Sequence, residues 1–143
     1  MTTIIKTLFA SAWLGLLASC ATISSFDQQA YENATSLKVD ARNVMANASQ
    51  SYSSQQTKVK ELRTNLEKAY EYDLGRPLNE ITVKQWDLLL DPAGSLLGGF
   101  LSEWKESGTL LPGYVRSKQT QIGRGFDTII GLESGKLKPS DVE

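Results

Sequence analysis

Histidine is absent from this chain of 143 residues, and cysteine occurs once, at Cys20. Without imidazole the chain lacks the commonest general base and the commonest metal ligand, and a lone thiol excludes an internal disulfide. Strand-type alternation of apolar and polar residues is missing, as is any glycine-rich loop that would follow a strand to cradle phosphate. Charge of one sign is also lacking: 15 basic against 16 acidic residues give a net charge of −1, which does not suit a nucleic-acid partner. The remaining candidates for acid and base chemistry are carboxylate pairs one helical turn apart, Glu67 with Glu71 and Asp87 with Asp91. That spacing is routine on a solvated helix surface and brings no second convergent group, so no catalytic residue, no metal and no cofactor are expected.

The N-terminus carries the most specific signal. Lys6 is the only charge before Cys20, and an apolar run from Leu8 to Ala18 follows it. The run is short of the ~20 residues a membrane span needs and has the layout of a secretory signal peptide. It ends in Leu17-Ala18-Ser19-Cys20, which resembles the lipobox of bacterial lipoproteins position by position. The chemistry needs a thiol because the thiolate is the nucleophile, and small residues before it let a peptidase close on the backbone. The resemblance implies that Cys20 is acylated, that residues 1–19 are removed as a signal peptide, and that residues 20–143 form a single lipid-anchored domain. It also implies that Ala21, where aspartate would retain the protein in the inner membrane, sends it to a Gram-negative outer membrane facing the periplasm. In a cell without one, the anchor would lie in the cell membrane. Loss of residues 1–19 removes one basic residue, leaving 14 basic against 16 acidic and a net charge of −2. The C-terminal Asp141-Val142-Glu143 lacks the terminal lysine that joins the major murein lipoprotein to the wall, and no peptidoglycan-binding signature is present.

Glycine and proline are missing from residue 21 to residue 74, whereas all four prolines and ten of the eleven glycines lie beyond it. A breaker-free stretch of this length predicts one long helix over about 25–73, or two joined without a sharp turn, with continuity favoured. Ala30, Ala34, Leu37, Ala41, Val44 and Ala48 alternate steps of four and three, the seam of a packed helix, and the seam resumes through Tyr52, Val59, Leu62, Leu66 and Ala69. Tyr52 falls one residue late for a strict heptad, which reads as local relaxation of a supercoil. The serine- and glutamine-rich residues 49–56 then form the exposed middle of a helix roughly 80 Å long at 1.5 Å per residue. A hinge there would halve that reach. An alanine-lined seam needs company: it reads first as the core stripe of an intramolecular bundle, with a coiled coil, including a homo-oligomer, as the alternative.

Leu74-Gly75-Arg76-Pro77 closes the long helix. Thr82-Val83-Lys84-Gln85 has the form of a capping box, with Ile81 and Trp86 at the staple positions. Asp91-Pro92 reads as the start of another helix, which places Ala93, Leu96, Leu97, Phe100, Leu101 and Trp104 on one face and stops near Gly108. A last helix after Pro112 carries Val115, Ile122, Phe126, Ile129 and Ile130 and ends near Gly135, making the C-terminal half helical over about 80–135. Gly123, Gly125 and Gly131 inside it point to close packing, with the alanine-rich helix as the expected neighbour. Residues 79–107 carry −3 and residues 112–138 carry +3, so the two segments are expected to complement each other.

These elements predict an all-α fold, a long N-terminal helix with shorter helices folding into an irregular three- or four-helix bundle. The function expected is that of a non-enzymatic scaffold or binding subunit, anchored through lipidated Cys20 and presenting a helical surface to another envelope protein. The candidate interaction surface is the first half of the seam, Ala30, Ala34, Leu37, Ala41, Val44 and Ala48, together with Arg116, Lys118 and Arg124. Two alternatives compete with it. One is a membrane-acting lipoprotein that lays the amphipathic segment 88–104 in the bilayer interface; the other is a carrier of an apolar small molecule among Trp86, Phe100 and Trp104.

Overall fold

The computed structural model describes residues 24–142, so the signal segment and Cys20 lie outside the described residues. Asp27 begins the first helix by accepting from the Ala30 amide at 2.8 Å, the bond expected of an N-cap carboxylate. The helices are α1 (Gln28–Met45), α2 (Tyr52–Leu74), α3 (Glu80–Leu90), α4 (Leu97–Ser107) and α5 (Pro112–Glu133), followed by a 3₁₀ turn at Pro139–Asp141. The all-α bundle expected from the sequence is what forms.

The single long helix does not form. The chain turns at residues 46–51, and α2 runs back along α1 so that Tyr72 near its end donates to Asp27 at the start of α1, at 3.1 Å from each carboxylate oxygen. No glycine or proline is needed, because the turn is satisfied by partners distant in sequence. The Leu110 amide donates to the Ala48 carbonyl at 2.8 Å, the Tyr52 amide to the Gly108 carbonyl at 2.8 Å, and the Trp104 indole to the Gln50 carbonyl at 3.1 Å. Ser51 then caps α2 by accepting from the Ser54 amide. The one-residue slip at Tyr52 is therefore the phase break between two helices, not a relaxed supercoil.

The seam packs inside the molecule. Ala30, Ala34, Leu37, Ala41 and Ala48 are buried and Val44 is half-buried, and Met45 joins them in the core. Val59, Leu62, Leu66 and Ala69 of α2 face the same core. α1 packs against α2 and α5, α5 also against α3, and α4 against α2 and α3. Small side chains on α1 let α2 and α5 approach closely. A charge buried in this contact is stripped of water: Ala34→Glu, at a site with no exposed surface, should destabilise by about 2–3 kcal/mol, while Ala46→Glu at an exposed site should change stability by under about 1 kcal/mol. Urea titrations followed by circular dichroism measure both, and similar small effects would mean that the seam is not buried.

Two helix starts differ from the sequence reading. α3 begins at Glu80, with Asn79 before it, so Thr82 lies inside the first turn, buried, with a hydroxyl that caps nothing. Asp91 does not cap α4; its carboxylate accepts from the Ala93 amide at 2.9 Å and shapes the turn that ends α3. α4 starts only at Leu97, because Gly98 and Gly99 stack directly on that turn: a Cβ on Gly98 would lie 2.1 Å from the Leu90 carbonyl oxygen, and one on Gly99 1.8 Å from that of Gly94. The glycines of α5 have three different neighbours. Gly123 faces Lys38 of α1, Gly125 faces Leu89 and Leu96, and Gly131 is covered by Leu137, so only the first meets the alanine-rich helix.

The bundle thus has two distinct ends. At one lie the turn 46–51 and the loop 108–111. At the other meet residues 24–27, the link 75–79 and the close of α5, which brings both termini of the described chain together.

Candidate functional site

Continuing the seam of α2 from Leu62, Leu66 and Ala69 by one more step of four reaches Asp73, and continuing Ile122, Phe126 and Ile129 of α5 in the same way reaches Glu133. Both are acids on core-facing positions, and both are buried at the terminal end of the bundle. Arg76 holds them together. Its Nη1 donates to Asp73 Oδ1 at 3.0 Å and to Glu133 Oε2 at 2.5 Å. The second oxygen of Asp73 accepts from the Trp86 indole at 2.6 Å, and Asn79 donates to the Asp73 carbonyl at 3.0 Å. Arg76 Nη2 reaches outward, donating to Ser24 Oγ at 3.1 Å and to the Ser25 carbonyl at 2.9 Å.

In this cluster the guanidinium ties three segments directly, residues 24–25, the end of α2 and the end of α5, and Asp73 brings in the core face of α3 through Trp86. Its electrostatics are unequal. Burial pushes the Glu133 carboxyl above its usual range, Arg76 pulls it back, and the neighbouring Asp73 charge raises it further, with a net upward shift. Burial works against the charge on Arg76, but bonds to Glu133 and Asp73 outweigh it and keep the guanidinium firmly protonated. Asp27 nearby is held below the ordinary carboxylate range by the Ala30 amide first, despite some burial, with Tyr72 and Arg76 adding to the effect. Chemically the arrangement is a latch.

Sequence reading missed this cluster because it treated Asp73 and Arg76 as the trailing end of a helix and counted Glu133 among surface charges. The signal that could have found it was an acid on each of two extrapolated apolar stripes.

The expected interaction residues fall in several places. The alanine seam is core, and so does not offer a face to another protein. Lys118 donates to the Ser95 carbonyl at 2.8 Å and sits 5.6 Å from the centre of the Tyr114 ring, which fastens α5 to the loop before α4. Arg116 is exposed beyond it. Arg124 lies instead on a groove of about 450 Å³ between α1 and α5, with Lys38, Arg42, Met45, Gln119 and Asp127 among its lining residues. Lys38 and Asp127 form an ion pair at 2.5 Å across it, while Arg42 and Arg124 pair with no carboxylate among the described residues. The three cations of α5 therefore do not form one patch.

The opposed charges of residues 79–107 and 112–138 make no ion pair with each other among the described residues. Beside the Lys118–Ser95 bond, the segments are joined by a hydrogen bond from the Tyr114 hydroxyl to Glu103, and burial together with that acceptor pushes the phenol up to about 12.

Of the carboxylates one turn apart, Asp91 is used in its turn, and Asp87 is close enough to Tyr70 to raise the pKa of its phenol. Among the described residues no cluster of three metal-type ligands occurs. Trp86, Phe100 and Trp104 are fully buried and spend their surface on neighbours: Trp86 meets Phe126 edge-on with ring centres 6.0 Å apart, and Trp104 meets Tyr52 edge-on at 5.5 Å. Within segment 88–104, Leu89, Leu97, Phe100, Leu101 and Trp104 are core, and Leu88 alone among its large apolar residues is exposed. No helix among the described residues is long and apolar enough to cross a membrane.

No protein-family model, no curated protein and no solved structure matches this chain.

Proposed function

We propose that this chain is a lipid-anchored protein of the bacterial envelope, held to the membrane through Cys20 and acting as a non-enzymatic helical scaffold or binding subunit for another envelope component. The observation that carries the reading is the order Lys6, apolar run, Leu17-Ala18-Ser19-Cys20, in which the chain's single thiol follows small residues at the end of a signal-like segment. The fold supports it from the other side. A helical bundle begins only a few residues after Cys20, and its inward-facing acids and aromatics are engaged in packing and in the Arg76 latch. With the alanine seam in the core, a partner would meet the outer surface, and the unpaired Arg42 and Arg124 beside the α1–α5 groove suit an acidic one.

Burial of the stripe at 97–104 leaves the alternative of an interfacial segment at 88–104 without an apolar face to offer. Mutual packing of Trp86, Phe100, Trp104 and their neighbours likewise gives a small-molecule carrier no support.

One acyl chain anchors only marginally, whereas the several attached to lipoproteins of this kind hold stably. Cells fed radiolabelled fatty acid should therefore label the wild-type chain and not Cys20→Ala. Equal incorporation in the two would sink the anchor.

A further inference from the structure

The geometry points to a membrane-seated end: Phe26, Leu74 and Leu78, at the terminal end of the bundle, rest in the interfacial layer of the bilayer that holds Cys20. This rests on the lipid-anchor reading and adds to it an orientation and a contact surface.

Covalent reach sets the scale. Ser24 is four residues from Cys20, so their Cα atoms are at most ~14 Å apart however the intervening chain runs. Ser24 and Ser25 are not free to swing away from the bundle, because Arg76 binds both, and Arg76 is itself held by Asp73 and Glu133. An anchor at Cys20 therefore draws this end, and not the end carrying the turn 46–51, against the lipid.

The end so drawn is unusually apolar. Seven large hydrophobic residues are exposed among the described residues, and four of them, Phe26, Tyr72, Leu74 and Leu78, cluster here, whereas Val39, Leu88 and Leu111 lie apart. The hydrogen bonds fix their proximity. Phe26 lies between Ser25, bound to Arg76, and Asp27, bound to Tyr72; Leu74 is two residues from both Tyr72 and Arg76, and Leu78 two residues beyond Arg76. Phe26, Leu74 and Leu78 are 62%, 50% and 52% exposed, values at which apolar side chains gain by leaving water.

Leu78 adds an independent sign. It is the one described non-glycine residue with positive φ, at 58°, a conformation that suits glycine or asparagine and strains a leucine. Local strain that projects a large apolar side chain outward is the kind that accompanies a binding role. The exposed charges at this end are mixed, with Glu71 and Glu80 beside Lys136 and Lys138. The contact is therefore apolar in origin, and zwitterionic lipid serves as well as anionic lipid.

The test uses the acylated full-length lipoprotein, its acylation verified by mass. Because acylation consumes the Cys20 thiol, an introduced cysteine is the only reactive one. Phe26→Cys, Leu78→Cys and, at the opposite end, Ser49→Cys are each labelled with an environment-sensitive dye and reconstituted into phosphatidylcholine vesicles with or without phosphatidylglycerol. Buried tryptophan emission from Trp86 and Trp104 verifies folding; Leu74→Cys replaces a variant at 26 or 78 that fails this check, and Ala46→Cys replaces one at 49. The expected result is strong quenching by lipids brominated high in the acyl chain for dyes at 26 and 78, little at 49, and the same pattern in both lipid mixtures. Equal quenching at all three positions, or a pattern present only with phosphatidylglycerol, overturns the inference while the verified acylation leaves the anchor standing. Self-quenching at 78 that depends on protein density, without bromolipid quenching, assigns the surface to a second copy and overturns it too. A chain without acyl groups removes the anchor and this inference together.

Discussion

Arg76→Ala should destabilise the bundle by about 3–5 kcal/mol at pH 7, the penalty for leaving buried charge without its partner. Asp73 would keep the Trp86 indole, but Glu133 would lose its only donor among the described residues and face a like charge in a dry site. The pH dependence has a definite sign. Glu133 already has a carboxyl pKa raised by burial, and loss of Arg76 removes the main influence pulling it down. A folded-state pKa above the unfolded one means that stability is fully present below the ordinary carboxylate range and is lost as pH rises through the folded value. The difference between wild type and variant should therefore shrink between pH 7 and about pH 4.5, and Arg76→Ala combined with Glu133→Gln should recover part of the loss at pH 7. Urea titration at the two pH values, read by tryptophan emission, measures all three. A penalty below about 1 kcal/mol, or one indifferent to pH, would mean that the cluster does not hold the fold together.

Gly98→Ala should be more damaging still for so small a change, by about 4 kcal/mol or more. The new methyl would meet the Leu90 and Asp91 carbonyl oxygens at 2.1 and 2.5 Å. Both are backbone atoms at the end of α3, so relief requires α4 to lift away from the turn and to unseat Leu97, Phe100 and Leu101 from the core. Gly113→Ala is the internal comparison. Only the tip of Arg116 comes within 3.9 Å of its added methyl, and the residue is helical, so alanine should be neutral or stabilise by up to about 1 kcal/mol. Thermal melts of the two variants should move in opposite directions or differ by many degrees; a similar Tm for both would show that α4 is not stacked as described.

What could be read from the sequence was whatever repeats along one helix. The steps of three and four placed Ala30, Ala34, Leu37, Ala41, Val59, Leu62, Leu66 and Ala69 on a packed face, and the same spacing found the stripes of α4 and α5. What could not be read was decided by groups far away. The break at 46–51 contains no glycine or proline because carbonyls at Ala48 and Gln50 find donors at Leu110 and Trp104. Helix propensity and breaker counting are blind to such bonds. The start of α4 was misplaced for a similar reason: Asp91-Pro92 is a good local helix start, but the stacking of Gly98 and Gly99 on residues 90–94 keeps those residues in a turn. Local chemistry set the candidates, and tertiary contact chose among them.

The candidate site was legible only in fragments. Cys20 stands out by sequence and lies outside the described residues. Asp73 and Arg76 looked like the trailing end of a helix, and Glu133 like one charge among those of residues 112–138, because each alone is ordinary and only their convergence with Trp86 makes a site. Lys118 had the reverse fate: a cation that seemed open to a partner is occupied with Ser95 and Tyr114.

The Arg76 latch also sets a schedule for the growing chain. Arg76 must wait for Glu133, a partner 57 residues further on, whenever the chain emerges N-terminus first. Until then the α1–α2 hairpin can form, but its terminal end stays wet, with Asp73 and Arg76 solvated. A chain truncated before residue 133 could not close the latch, and the end formed by residues 24–27 and 75–79 would then be the first place for proteases to enter.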